Sequence, residues 1–142
     1  GLGSGFCGIA AAREAVKAST KIIGVVSAHA PAYAQSFTER RFIEHPSSTR
    51  VAEGVACKTP NAEALAWIIE HAHDIVTITD DEALTAMREI LQATHNLPEG
   101  SGALAYAAIK KHQAQWQGKR LACILSGGNV SMEILKRVMK EP

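Results

Sequence analysis

The sequence predicts an α/β fold, an open and mostly parallel sheet with helices on both faces. Two observations carry that expectation. Three short runs, Lys21 to Ser27, Asp74 to Thr79 and Lys119 to Ser126, are continuously rather than alternately apolar, the pattern of strands covered on both sides. Segments of helical periodicity separate them, and strand–helix alternation is the mark of parallel crossover units.

The elements follow in order. The chain opens on Gly1-Leu2-Gly3-Ser4-Gly5, a turn sequence, and a helix is expected from about Phe6 to Ala18, rich in alanine with Ile9 and Val16 on one stripe. A doubly wound sheet feeds such a turn from a strand, and none precedes it here. Either that strand belongs to residues absent from this sequence, or this is a short form that does without it. After the first strand, Ala28 to Lys58 holds Pro31, Pro46 and the polar run Glu44-His45-Pro46-Ser47-Ser48, so at least its middle is expected to be a loop. Loops of that length are functional or mobile. Pro60 introduces a helix over Asn61 to His71, with Leu65, Ile68 and Ile69 facing the core. The second strand feeds a helix from Asp80 to Thr94, whose first turn places Asp80, Asp81 and Glu82 at the positive end of the helix dipole. Its apolar stripe is Leu84, Met87, Ile90 and Leu91. A helix over Gly102 to Gln113 and the third strand come next. Met132 to Lys140 closes the pattern, with Lys136, Arg137 and Lys140 near the negative helix end. Without repeats or low-complexity linkers, the 142 residues are expected to form one domain.

Fifteen Lys plus Arg against fourteen Asp plus Glu, gathered into no block, argue against nucleic acid or any polyanion as partner. No stretch approaches the ~20 apolar residues that span a bilayer. No secretion signal opens the chain, so a soluble, cytoplasmic protein with no membrane partner is expected. Cys7, Cys57 and Cys123 are odd in number and widely spaced, which suits reduced thiols, with Cys57 and Cys123 in the core. Cys7, near a helix start, reads as a space-filler under the turn rather than as a reactive thiolate. Trp67 and Trp116 read as packing residues on helix faces. His71 and His73 would diverge by about 200° on a helix, and His29, His45, His95 and His112 stand alone, so no metal is expected.

The chemistry lies in two glycine turns. Gly3, Gly5 and Gly8 satisfy the G-x-G-x-x-G spacing. In such a turn backbone N–H groups converge and the following helix points its positive end at a phosphate. A dinucleotide also needs an Asp or Glu about 20 residues on, at the end of the next strand. That strand ends Val25-Val26-Ser27-Ala28-His29, without a carboxylate. A single phosphate is therefore the preferred ligand; a dinucleotide-binding domain is the weaker alternative, and a purely structural turn stays open. The second turn, Ser126-Gly127-Gly128-Asn129, offers a small hydroxyl and two glycines that let a flat ligand approach the backbone. A plain connection into the last helix stays open there.

Four ordered stretches resemble the C-terminal part of the large domain of the serine/threonine dehydratases, the fold type II pyridoxal-phosphate enzymes that include threonine deaminase and serine racemase. They are Gly1 to Gly5 with Gly8-Ile9-Ala10; Val51-Ala52-Glu53-Gly54-Val55-Ala56, where the family usually reads A-D-G-I-A; Asp74-Ile75-Val76-Thr77 before an acidic helix start; and Glu99-Gly100-Ser101-Gly102-Ala103 with Leu125-Ser126-Gly127-Gly128-Asn129. The resemblance implies that the turn Gly1, Leu2, Gly3, Ser4 and Gly5 holds the phosphate of pyridoxal 5'-phosphate, and that Ser126, beside Gly127, meets the pyridine nitrogen. A neutral hydroxyl there makes a weaker electron sink than a carboxylate and suits β-elimination. Glu99 and Glu53 are implied near the substrate or a cation, although Glu53 replaces the more usual Asp and a metal is not expected. The implied reaction turns serine or threonine into a 2-oxo acid and ammonia. In the family the cofactor is carried as a Schiff base on a lysine in a Ser-x-Lys-x-Arg-Gly-like stretch upstream of the phosphate loop. No such stretch occurs here, and no lysine from Lys17 to Lys140 stands in a comparable context. The expectation is thus a lyase part that is inactive alone. A second class of function is a truncated, non-catalytic binding or assembly module. Uncovered sheet edge and apolar helix faces would then pair, giving a homo-oligomer.

Overall fold

The computed structural model describes residues 1–140 of the chain. Its elements are α1 (Ser4–Ala15), β1 (Ile23–Ser27), α2 (Ala32–Glu39), a 3₁₀ turn (Glu53–Val55), α3 (Ala62–His71), β2 (Asp74–Ile78), α4 (Asp80–Thr94), α5 (Gly100–Lys111) and α6 (Met132–Met139). β1 and β2 pair in parallel, with Ile23 opposite Asp74 and Ser27 opposite Ile78.

Alternation along the strands divides the core in two. Ile23, Val25, Val76 and Ile78 point to one face, where they meet Leu84, Met87 and Ile90 of α4, Leu104 and Ala107 of α5 and Val138 of α6. Val26 and Ile75 point to the other, against Phe6 of α1, Tyr33 of α2 and Leu65 and Ile68 of α3. The expected α/β architecture, a parallel sheet with helices on both faces, is present, and the sheet is small.

Local chemistry explains the helix boundaries. At α4 the Thr79 side chain accepts from the Glu82 backbone while the Glu82 carboxylate accepts from the Thr79 N–H at 2.8 Å, a reciprocal capping box. Burial works against ionisation of Glu82, but the Thr79 N–H and the Lys111 ammonium outweigh it and hold its carboxyl below the usual carboxylate range. Helix α1 starts two residues earlier than expected because Gly3 adopts a left-handed conformation, φ 93°, and ends by Ala15, where Lys17 turns left-handed.

Several expectations are corrected. Lys119 to Ser126 forms no strand. It is exposed along its length, with Ile124 at 61%, and it has no neighbour to complete its hydrogen bonds. The Ile9 and Val16 stripe of α1 is likewise exposed. Cys123 is exposed and is no core thiol, whereas half-buried Cys57 packs against the second core; half-buried Cys7 points its Sγ at the Ala64 carbonyl. Trp67 is 42% exposed and packs against the His71 ring at a 32° tilt, with ring centroids 4.4 Å apart. Trp116 packs against the first core from a turn after α5 rather than from a helix.

The proline-containing segment carries α2, because Pro31 stands at its N-cap, where no N–H is needed. The rest of that segment is a loop whose course is pinned. The buried Ser36 hydroxyl donates to the Ile43 carbonyl and accepts from its N–H. The Thr49 hydroxyl donates to Asp80 Oδ1 at 2.6 Å and the Arg50 N–H to Asp80 Oδ2 at 2.8 Å. Asp80 thus serves the α4 dipole and also fixes the loop that delivers Glu53 and Gly54. No helix among the described residues is long and apolar enough to cross a membrane.

Candidate functional site

The first glycine turn is shaped by packing at one position. A Cβ on Gly3 would sit 2.9 Å from Ala64 Cβ, 3.2 Å from Ile68 Cδ1 and 3.3 Å from Tyr33 Oη. The positive φ and the approach of α3 both demand glycine there. Gly5 and Gly8 meet nothing within 4 Å. Their lack of side chains leaves the first turn of α1 bare instead of serving a contact.

Tyr33 holds this turn in place. Its buried hydroxyl donates to the Leu2 carbonyl at 2.7 Å and accepts from the Asn61 N–H at 3.0 Å. Burial raises its pKa above the usual tyrosine value. The first-turn amides of Ser4, Gly5 and Phe6 have no acceptor among the described residues. Tyr33→Phe is expected to cost about 1–3 kcal/mol, since it removes the acceptor of Asn61 and the donor of Leu2 together. Urea unfolding checks this; an unchanged midpoint would mean that the turn is held by something else.

The second turn is built around Glu99, the N-cap of α5. Gly127 has φ 73°, and a Cβ on it would lie 2.3 Å from the Glu99 carboxyl carbon. The Asn129 N–H donates to Glu99 Oε2 at 3.2 Å, and the Glu99 N–H to the Gly127 carbonyl at 3.3 Å. A Cβ on Gly102 would lie 1.7 Å from the Ser126 carbonyl oxygen, so α5 touches that segment backbone to backbone. Ser126 and Gly127 are exposed.

Gly54 joins the two turns. Its Cβ position lies 2.9 Å from Ser101 Oγ and 3.3 Å from Glu99 Oε1, while the Cβ position of Gly1 lies 3.2 Å from the Gly54 carbonyl. A cavity of about 570 Å³ is lined by Gly1 to Phe6, Thr20 to Val26, Ser101 and Ala122 to Ile124. A more polar one of about 500 Å³, lined by Glu53, Gly54, Glu99, Ser101 and Asn129, adjoins it through Ser101. The two turns therefore lie on one side of the molecule. Sequence reasoning singles out neither Ser101 nor Tyr33 as a site residue. The pair Gly100-x-Gly102 at a helix start, where glycine is a poor helix former, is the available signal for Ser101; Tyr33 has none.

Glu53 is exposed on the 3₁₀ turn. No group of three or more His, Cys, Asp or Glu among the described residues could hold a metal ion. Lys21, which lines the first cavity with the glycine turn, has its Nζ 3.3 Å from His73 Nε2. Lys110 pairs with Glu89 and Lys111 with Glu82.

Comparison with known proteins decides the family of the chain. A family model described as pyridoxal-phosphate dependent enzyme matches residues 1–127. The chain belongs to that family. It is 29% identical over 140 residues to an L-threonine ammonia-lyase of Geobacter sulfurreducens, covering 99% of this chain and 35% of that protein. Among solved structures it superposes on a T.th. threonine deaminase with TM-score 0.85 and 30% identity, covering 93% of this chain and 48% of the other. The processed form of threonine deaminase isoform 2 from Solanum lycopersicum gives TM-score 0.88 and 26% identity, over 98% and 41%. The chain thus spans between about a third and a half of the relatives it matches. Its first turn fits the phosphate of the family's cofactor, because unsatisfied helix N–H groups and bare glycine Cα atoms are what a dianionic ester requires.

Proposed function

We propose that this chain supplies the phosphate-binding and ring-binding side of a pyridoxal-phosphate-dependent lyase that takes serine, threonine or a similar small hydroxy amino acid. The observation that carries the reading is the bare first turn of α1, clamped by Tyr33 and joined through Gly54 to the Glu99–Gly127 turn. The phosphate would be held by the N–H groups of Leu2, Gly3, Ser4 and Gly5, with the positive end of α1 balancing its charge. The Ser126 hydroxyl would face the ring nitrogen as a neutral partner. Glu99 orients the turn on which Ser126 stands by accepting from the Asn129 N–H. When bound, pyridoxal phosphate supplies an electron sink for the bonds broken at the amino-acid Cα. No lysine among these residues is assigned to carry it, since none stands in the family's Ser-x-Lys-x-Arg-Gly-like context.

Titration of the purified chain with pyridoxal phosphate is expected to show binding that inorganic phosphate displaces, with no 2-oxo acid released from threonine or serine. Binding indifferent to phosphate would defeat the cradle, and 2-oxo acid release would show that a lysine of this chain carries the cofactor. A second reading, a non-catalytic assembly module, is favoured by the exposed apolar residues Leu121, Ile124 and Leu125.

A further inference from the structure

The N–H groups of Gly3, Ser4 and Gly5 find no acceptor among the described residues, and they are not held alike. Those of Ser4 and Gly5 belong to the first turn of α1, and the helix itself fixes their direction. That of Gly3 lies outside the helix, on the peptide that joins Leu2 to Gly3. The Leu2 side chain is 65% exposed and Gly3 has none, so packing does little to orient this peptide.

A hydrogen bond orients it instead. The peptide is planar and trans, so its C=O and its N–H point in opposite directions. The Tyr33 hydroxyl holds the C=O side at 2.7 Å, which turns the Gly3 N–H away from the phenol. Gly3 is left-handed, with φ 93° and ψ −8°, and Ser4 opens a right-handed helix. Consecutive residues of opposite hand bring successive N–H groups into one concavity. Tyr33 has little freedom of its own. It is buried with Val26, Leu65 and Ile68, and its oxygen accepts from the N–H of Asn61, the residue whose side chain caps α3 by accepting from the Ala64 N–H at 2.9 Å. The bonds run head to tail, from the Asn61 N–H to the phenol oxygen and from the phenol O–H to the Leu2 carbonyl. Each polarises the next, and the Gly3 N–H at the end of the chain becomes a stronger donor.

We infer that Tyr33 is a positioning residue for the phosphate group: from behind the Leu2–Gly3 peptide, its hydroxyl aims the Gly3 N–H and strengthens it as a donor. The inference rests on the cofactor reading above and adds a residue to it that acts only through the backbone. A role confined to holding the fold would affect the Gly3, Ser4 and Gly5 amides alike. An aiming role acts on Gly3.

The test is a titration of the isotope-labelled 142-residue chain with inorganic phosphate, read at each backbone amide by magnetic resonance. In the natural chain the Gly3, Ser4 and Gly5 amides are expected to shift together. Tyr33→Phe is expected to weaken phosphate binding about tenfold, the scale of one hydrogen bond to a charged group, and to abolish the Gly3 response while Ser4 and Gly5 keep theirs. A ring-fluorinated tyrosine in place of Tyr33 keeps the packing and has a more acidic, more strongly donating hydroxyl. It is expected to tighten phosphate binding and enlarge the Gly3 shift, and it decides the matter alone if the phenylalanine variant does not fold. Natural affinity in either folded variant, or a loss shared equally by the three amides, overturns the inference and leaves the cofactor reading standing. A natural chain whose turn amides ignore phosphate overturns both.

Discussion

Replacing Gly100 by alanine is expected to destabilise the chain by about 3 kcal/mol, the upper range for overpacking a tight contact. The added Cβ would lie 2.1 Å from the Val51 carbonyl oxygen and 2.7 Å from its carbonyl carbon, and both residues are buried. Neither side can yield easily. The Val51 segment is anchored through Thr49 and Arg50 to Asp80, while α5 packs along α4 through Ala103, Leu104 and Ala107. Separation at this point would carry Glu53 and Gly54 away from Glu99 and Ser101 and open the polar cavity. Denaturant unfolding gives the magnitude, and amide exchange at Val51 and Ala52, whose N–H groups bond the Thr49 hydroxyl, reports the displacement. A wild-type midpoint would show that the close approach does not exist.

Gly3→Ala is expected to cost about 2–4 kcal/mol, combining a left-handed backbone for a residue with a Cβ and a clash against α3. It should also weaken phosphate binding, since relief of the clash moves Leu2, Gly3 and Ser4 together. Gly5→Ala supplies the opposite sign. That position is helical and open, so alanine should stabilise by about 0.5–1 kcal/mol, while its methyl group stands where a phosphate oxygen would approach. The pair separates two roles that the G-x-G-x-x-G spacing merges. Equal stability losses in the two variants would sink the distinction, as read by urea unfolding with phosphate titration alongside.

Much of the candidate site was legible as residue types and little of it as arrangement. Gly1 to Gly5 stood out because several glycines before a helical pattern have few physical uses. Glu99 stood out less clearly, and its bond to the Asn129 N–H depends on a turn thirty positions away. Tyr33 reads as any residue of a proline-containing loop, yet it fastens the first glycine turn through two contacts, each about thirty residues distant in sequence. Asp80 was readable as a charge on a helix dipole; its grip on Thr49 and Arg50 was not.

By itself the sequence determined five of the helices and two of the strands, the capping of α4 and the presence of a glycine turn before α1. Those features follow from interactions within a few residues: apolar periodicity, the Thr79–Glu82 exchange and the conformational freedom of glycine. Only the tertiary structure decided that Lys119–Ser126 stays unpaired, that Cys123 is exposed and that both turns share one side. A strand is stabilised by hydrogen bonds to a neighbour, which no local pattern contains, and burial depends on what lies across the cavity rather than on the residue itself.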